Sequence, residues 1–305
     1  MDRFEDMKTF LRVVEAGSFT GAADQLNTAK SAVSRRISEL ERYLGVRLLQ
    51  RTTRKLSLTE TGQYYYERVQ RLLDDLEDME YATRGKDAAM RGALRVAAPL
   101  SFGQRHLVPA LDAFLEQNPL LDLDLHLDDR KIDLVEAGMD MGLRIGDPTQ
   151  GSLIARRLTV VRRSAAASPA YLEKYGEPKT PEEFEASHKG LLYTYTSASA
   201  HWSFLGPDGE VHTVRPSIRM RSNNGDFLLQ AALAGKGIIA LPTFISFQAL
   251  RDGLLKPILQ DYSFPELAAY AVFAPGRQLS HKVRIFIDYL VGYFGKSLNA
   301  PHWDD

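Results

Sequence analysis

A short basic segment carries the side chains of this chain that are best suited to contact nucleic acid. Lys30, Ser31, Ser34 and Arg35 are neighbours or stand one helical turn apart, so a helix presents them on one side. Such side chains donate hydrogen bonds to phosphate oxygens and to base edges in the major groove, where an arginine fork matches guanine. The segment therefore predicts a helix that contacts double-stranded DNA.

The apolar pattern predicts the elements that position this helix. Its buried stripe consists of Val33, Ile37, Leu40 and Leu44. A shorter helix precedes it, with Ala22, Ala23 and Leu26 on one face and Ser18 as its N-cap; Asn27 and Thr28 form the turn, and Thr28 caps the second helix. A leading helix is marked by Phe4, Met7, Leu11 and Val14. The order is that of a helix-turn-helix DNA reader.

An ordinary helical hairpin is the alternative, and the charge distribution weighs against it. Residues 30–55 contain eight Lys or Arg and two Glu, an excess of six, whereas the whole chain has a formal net charge of -1. Basic charge is concentrated where a DNA-binding surface needs it. Downstream, leucine pairs at 48–49 and at 56 and 58 bracket the basic run RTTRK, which predicts a wing that lays Arg51, Arg54 and Lys55 along the backbone or in the minor groove.

The segments FLRVVEAGSFTGAADQL and KSAVSRRISELERYLGVRLLQRTTRKLSLTETG resemble the DNA-binding domain of LysR-type transcriptional regulators. The resemblance implies base contacts at Lys30, Ser31 and Arg35 and a minor-groove arginine at Arg54. Lys30 departs from the neutral residue common in relatives, so no relative's operator preference is carried over. The complete predicted DNA-binding set is Lys30, Ser31, Ser34, Arg35, Arg51, Thr52 and Arg54.

The same resemblance implies an organisation for the whole chain. A winged helix-turn-helix domain spans 1–58, a linker helix 59–90 and an α/β effector domain 91–305. The effector domain consists of two Rossmann-like, periplasmic-binding-protein-like subdomains, the first at about 91–162 and 269–305 and the second at about 163–268. The implied function is sequence-specific transcription regulation, modulated by a small molecule bound in the cleft between the subdomains.

The residues themselves support this organisation after position 90. Strands expected at 94–98, 121–127 and 139–145 alternate with a helix at 103–117, which indicates a mainly parallel sheet. A second set follows, with a strand at 153–161, helices at SPAYLEKYG and NNGDFLLQAALAGKGI, a hairpin across GPDG, the strand YAVFA and a closing helix. The closing helix is marked by Val283, Ile287, Leu290 and Phe294.

Two loops before helices predict the effector site, because helix N-termini beyond strand ends favour anions. One loop contains Leu100, Ser101 and Phe102 and the other contains Asn223 and Asn224. The resemblance implies that the two loops face each other across the cleft. The resemblance adds Arg144, Gly146 and Thr196 on the cleft walls. Phe102, Tyr195 and Phe244 suit an aromatic body, so the expected effector is anionic or aromatic. Serine and asparagine before helices are also common caps, and loop aromatics are often core, so both alternatives stay open.

The helix expected from Thr59 to about Ala89 has a seam at Val69, Leu72, Leu76 and Met79, which predicts a homodimer and, by resemblance, a homotetramer. A packing face within its own domain is the alternative. A two-fold dimer places two readers roughly 34 Å apart, which implies a partly palindromic operator.

The composition of the chain argues against several other classes of protein and of binding site. The chain has no cysteine, so disulfides and thiolate metal sites are excluded, and its seven histidines lack metal-ligand spacing; no cofactor or metal is expected. Without an apolar signal segment or membrane-length run, a cytoplasmic location is expected and a secreted solute-binding protein is not. Neither a catalytic triad nor a phosphate loop is recognisable, so an enzyme fused to a DNA reader is not expected either.

Overall fold

The computed structural model describes residues 2–51, 56–84, 90–146, 153–195, 201–275 and 279–295. The chain divides into two compact units, Met1–Ala88 and Ala89–Asp305. In chain order the first unit contains α1 (Arg3–Glu15), α2 (Phe19–Gln25), α3 (Lys30–Leu44), β1 (Leu49–Arg51), β2 (Leu56–Leu58) and α4 (Glu60–Arg84). Strands β1 and β2 pair antiparallel, with Leu49 opposite Leu58.

Helices α1, α2 and α3 enclose the core of the first unit. Its buried residues are Phe10, Val13, Ala22, Ala23, Val33, Ile37, Leu40, Leu48 and Leu49. Ser18 caps α2, as predicted, because its hydroxyl accepts a hydrogen bond of 3.0 Å from the backbone N–H of Gly21. The prediction that Thr28 caps α3 is wrong: Ala29 precedes the helix and no side chain caps it. The turn ends one residue later than the sequence pattern suggested.

The expectation for the leading helix α1 is only partly correct. Phe4 is 46% exposed, whereas Phe10 and Val13, which the pattern missed, are fully buried against the helix-turn-helix. Leu11 faces α4 instead, where it packs with Val69 and Leu73. The helix buries two faces at once, so no single stripe describes it.

The second unit contains two five-stranded sheets. Around the first lie β3 (Arg91–Ala98), α5 (Leu100–Phe102), a π-helical turn (Gly103–Leu107), α6 (Val108–Gln117), β4 (Leu120–Leu127), β5 (Met141–Gly146), β6 (Ile154–Val161), β14 (Leu267–Phe273) and α11 (His281–Gly295). We call these elements the first lobe. The strand order is β4-β3-β5-β14-β6, and β14 runs against the other four.

The remaining elements form the second lobe. They are β7 (Arg163–Ala167), α7 (Pro169–Tyr175), α8 (Pro181–Ser187), β8 (Lys189–Tyr193), β9 (Trp202–Leu205), β10 (Val211–Val214), β11 (Ser217–Ser222), α9 (Gly225–Leu233), β12 (Ile238–Pro242), α10 (Thr243–Arg251) and β13 (Lys256–Pro257). The sheet order is β11-β8-β12-β7-β13, with β7 reversed, and β9 and β10 form a separate hairpin. The chain crosses between lobes at Arg162 and returns before Leu267.

Most of the elements expected in the second unit are present. The strands and the GPDG hairpin lie within a few residues of their predicted bounds, and the helix expected at 103–117 begins earlier, at Leu100, and includes the π-helical turn. The four apolar residues that marked the closing helix are all buried in α11. Local periodicity therefore predicted this unit well, apart from element ends.

Candidate functional site

Helix α3 separates an apolar face from a polar one. Val33 and Ile37 are fully buried, while Lys30, Ser31 and Arg35 are exposed and Ser34 is half-buried. The first turns of α3 therefore present hydrogen-bond donors on a surface of the helix-turn-helix, as a recognition helix does.

Not every basic residue of α3 is equally free to contact phosphate. Arg36 points back toward α1, where its Nη1 lies 3.5 Å from Oδ1 of Asp6. The Asp6 side chain is 3% exposed and that of Arg36 is 40% exposed. Arg36 therefore joins α3 to α1, and the charge excess counted from sequence overstates the positive surface available to DNA.

A buried carboxylate attaches the wing to the recognition helix. Glu41 of α3 is 8% exposed, and its Oε1 accepts hydrogen bonds from the backbone N–H groups of Leu48, at 2.8 Å, and Leu49, at 3.1 Å. Thr59 closes the other side of the wing by donating to the carbonyl of Arg47 at 2.7 Å. Neither Glu41 nor Thr59 was predicted to hold the wing, because the sequence pattern does not reveal which polar side chains turn inward.

Of the three predicted wing contacts, only the backbone of Arg51 lies within the described residues. Arg51 belongs to β1 by its backbone, opposite Leu56. Its side chain, together with Thr52 and Arg54, lies outside the described residues.

In the second unit, Ser101 stands where the lobes meet. It is 4% exposed, and its hydroxyl donates a hydrogen bond of 2.5 Å to Oδ2 of Asp226, in the first turn of α9. Arg105, one turn after Ser101, donates to Oδ1 of the same carboxylate from Nε at 3.0 Å and from Nη2 at 2.5 Å. Ser101, a predicted effector residue, is thus hydrogen-bonded to the Asp226 carboxylate of the opposite lobe.

A second carboxylate lies beside the first loop. Asp129, in the loop after β4, accepts a hydrogen bond of 2.8 Å from the backbone N–H of Leu100. It is also hydrogen-bonded to the hydroxyl of Tyr193 at the end of β8, and burial together with Asp129 raises the pKa of Tyr193. The hydroxyl is therefore a donor at neutral pH, and Asp129 forms another polar link between lobes.

The two asparagines have different local roles. Asn224 is the N-cap of α9, because its Oδ1 accepts a hydrogen bond of 2.7 Å from the N–H of Phe227. Asn223 is exposed and donates to the hydroxyl of Tyr195 at 3.1 Å. The capping alternative thus applies to Asn224, whereas Asn223 and Tyr195 remain at the surface.

Two of the predicted wall residues, Arg144 and Gly146, lie at the end of β5 and are half-buried. Nη2 of Arg144 donates to the carbonyl of Ile132 at 3.0 Å, and burial lowers the pKa of its guanidinium. Gly146 has a φ of 124°, which favours glycine, and a Cβ there would meet no atom within 4 Å. Thr196 lies outside the described residues.

Phe102 is part of the core rather than an exposed ligand contact. It is fully buried, with ring centroids of Phe244 at 5.5 Å and Phe294 at 5.4 Å. His106 packs beside it, and its Nε2 lies 3.1 Å from the carbonyl oxygen of Phe244. Burial lowers the pKa of His106 to about 4, so the ring is neutral at pH 7 and donates from Nε2.

Within the described residues, no group of histidine and acidic side chains is arranged to hold a metal ion, and no helix is long and apolar enough to cross a membrane. A helix-turn-helix with a polar recognition face, followed by a two-lobed α/β unit, defines a ligand-responsive DNA-binding regulator.

Two family models match the chain in succession. The model described as a bacterial regulatory helix-turn-helix protein of the lysR family matches residues 4–63, and the LysR substrate binding domain matches residues 87–295. The chain belongs to the LysR family of transcriptional regulators. The predicted family, fold class and general function are confirmed, and the family consists of regulators rather than enzymes.

Individual relatives agree over nearly the full length. An HTH-type transcriptional regulator of Xanthomonas campestris is 38% identical over 94% of this chain and 84% of its own. The solved structure of CrgA from Neisseria meningitidis is 34% identical, with a TM-score of 0.61 over 96% of this chain and 99% of that one. Full-length AphB, the Vibrio cholerae virulence activator, is 31% identical, with a TM-score of 0.60 over 95% of this chain and 98% of its own.

Proposed function

We propose that the exposed face of α3 reads the operator sequence, with Lys30, Ser31, Ser34 and Arg35 in the major groove. The wing residues Arg51, Thr52 and Arg54 contact the backbone or the minor groove beside it. The proposal rests on one observation: the exposed donors at Lys30, Ser31 and Arg35 lie opposite the buried stripe of the same helix. Arginine and lysine on such a face give both affinity and base selectivity.

Selection of genomic DNA fragments by the purified full-length protein, at two salt concentrations, tests this proposal. Phosphate contacts weaken with salt at every sequence, whereas base contacts retain the ranking of sites. Enrichment of a partly palindromic site that survives the higher salt supports the proposal. Indiscriminate binding that disappears with salt contradicts it.

The effector site proposed here lies between the loop of Leu100 and Ser101 and the loop of Asn223 and Asn224, with Arg144, Gly146 and Thr196 as further contacts. An anionic effector is supported because Leu100 N–H and the Ser101 hydroxyl already hold carboxylates of the protein. An aromatic group finds Tyr195, which is 36% exposed, while the buried Phe102 gives it no support.

The domain bounds proposed for this chain are 1–58, 59–90 and 91–305, and its proposed location is the cytoplasm. A homodimer forms through α4 and pairs into a homotetramer, which binds a partly palindromic operator. On α4, Leu72 is 45% exposed and Met79 is 62% exposed, which supports contact with a second helix. Effector binding shifts the population of lobe arrangements and thereby the spacing of the DNA readers.

A further inference from the structure

We propose that Asp226 is a built-in carboxylate ligand of the cleft, which ties the two lobes together and which the anionic group of an effector must displace. The inference rests on the effector site proposed above and identifies the group with which the effector competes. It follows from the hydrogen bonds that converge on this single side chain from the opposite lobe.

Both oxygens of the Asp226 carboxylate are used. Oδ2 accepts from the Ser101 hydroxyl at 2.5 Å, while Oδ1 accepts from Nε of Arg105 at 3.0 Å and from its Nη2 at 2.5 Å. All three donors lie in α5 and the π-helical turn of the first lobe, whereas Asp226 lies on α9 of the second. Charge-assisted bonds of this kind are among the stronger polar contacts in proteins.

The site of these donors is shielded at Ser101 and partly open to solvent at Asp226 and Arg105. Ser101 is 4% exposed in the folded protein, so its hydroxyl is satisfied by the Asp226 carboxylate rather than by bulk water. The side chains of Asp226 and Arg105 are 29% and 35% exposed, so a small solute can reach the pair from solvent. A hydroxyl and a guanidinium directed at one point recognise a carboxylate.

The backbone also brings the two lobes close together at this point. Gly225 precedes Asp226, and a Cβ at Gly225 would lie 2.7 Å from Cδ1 of Ile245 and 3.9 Å from the Ser101 oxygen. The glycine permits the first turn of α9 to pack closely on Ile245 of α10 in its own lobe, while the spacing toward Ser101 of the first lobe is an ordinary van der Waals contact. Packed in this way, α9 holds the Asp226 carboxylate within hydrogen-bonding distance of its donors. An effector lacking an anionic group cannot replace the ion pair that Asp226 forms with Arg105.

Thermal unfolding of the full-length protein in sodium acetate, compared with sodium chloride at the same ionic strength, tests the proposal without knowledge of the effector. Acetate is the probe because it supplies the carboxylate that Asp226→Ala removes. The matched control is Asp252→Ala, since Asp252 is an exposed acid of the same lobe that accepts hydrogen bonds from Gln248.

We expect Asp226→Ala to melt below the wild type and acetate to raise its Tm saturably by about 2–4 °C, as a ligand of the folded state does. Wild type and Asp252→Ala should respond alike to the two salts. Adding Arg105→Gln to Asp226→Ala should abolish the acetate effect. The proposal is overturned if Asp226→Ala melts at the same temperature as the wild type, or if acetate and chloride affect the Tm of Asp226→Ala equally.

The test also separates this inference from the effector site on which it rests. No effector is present in the melts, so a negative result removes the role of Asp226 alone. The effector site itself is tested separately by Asn223→Ala, whose effector response is measured in a reporter assay. Asn223 suits this test because it is exposed at the second loop and does not contact Asp226 in the contacts described above.

Discussion

The carboxylate of Glu41 on α3 accepts a hydrogen bond of 2.8 Å from the backbone N–H of Leu48, at the entrance to the wing. The same oxygen accepts from Leu49 at 3.1 Å. One buried side chain therefore joins the start of the wing to the recognition helix, so the two elements proposed to contact DNA are held together by direct hydrogen bonds.

Replacement of Glu41 by alanine should destabilise the DNA-binding unit by about 2–3 kcal/mol, because it leaves two largely buried backbone N–H groups without an acceptor. Glu41→Gln, which retains an acceptor oxygen, should be milder. Denaturant unfolding measures both, with Glu39→Ala on the same helix as the control. Equal stability of the Glu41 and Glu39 alanine variants would show that the attachment contributes nothing.

The neutral His106 predicts a pH dependence of stability. Its pKa in the folded protein is about 4, below the usual 6.5, so the unfolded chain binds more protons between these values. The contribution is complete above about pH 6.5 and declines as the pH falls toward 4. We expect a loss of about 1–2 kcal/mol, smaller than the full pKa difference implies because the ring is partly exposed.

Unfolding of the wild type and His106→Phe between pH 7 and 4 measures this contribution. The variant should show a shallower decline, with a residual slope to which His188 contributes, since burial also lowers its pKa. Identical slopes would exclude His106 as a source of acid sensitivity.

Asn224 offers a way to separate capping from effector contact. Asn224→Ala should cost about 1 kcal/mol of stability, because the hydrogen bond to the N–H of Phe227 is lost. Asn224→Asp keeps the cap but adds a negative charge beside the proposed effector site. If Asn224 contacts an anionic effector, the aspartate variant should fold like the wild type and lose its effector response in a reporter assay. A normal response would leave Asn224 as a cap alone.

The sequence predicted the elements whose signals are local. Val33 and Ile37 mark the buried face of α3, and four apolar residues mark α11, because 3.6-residue periodicity is contained within one helix. The two-residue strand β13 could not be found in this way, since its strand character comes from pairing with Ala166 and Ala167 of β7.

The side-chain contacts of the cleft were harder to predict, because they join residues that are far apart in the sequence. Ser101 was identified from its place before a helix, but Asp226 lies 125 residues away and its partnership depends on how the lobes pack. For Phe102 the sequence left a ligand contact and a core position both open, and the structure places the ring in the core, because a loop aromatic gives no local sign of the side to which it turns.

The linker helix carries a testable prediction about assembly. Val69 was predicted to face a partner, but it packs with Leu11 of α1, which leaves Leu72 and Met79 exposed. The double variant Leu72→Glu, Met79→Glu should therefore weaken dimers at least tenfold, because it places charge at an apolar contact. Sedimentation of the full-length protein measures this, with Gln70→Glu as the control on the same helix. Unchanged sedimentation of the double variant would move the dimer interface elsewhere.

The central claim is that the polar face of α3 reads DNA sequence while the wing holds the backbone, and Arg35→Ala compared with Arg51→Ala tests it most directly. Affinity for the selected operator and for random DNA is measured over a range of salt concentrations, with Arg284→Ala of α11 as the control. The account predicts that Arg35→Ala loses roughly 1–3 kcal/mol on the operator and relaxes base preference, whereas Arg51→Ala weakens both DNAs evenly and reduces the salt dependence. Equal losses on both DNAs for both variants would contradict it.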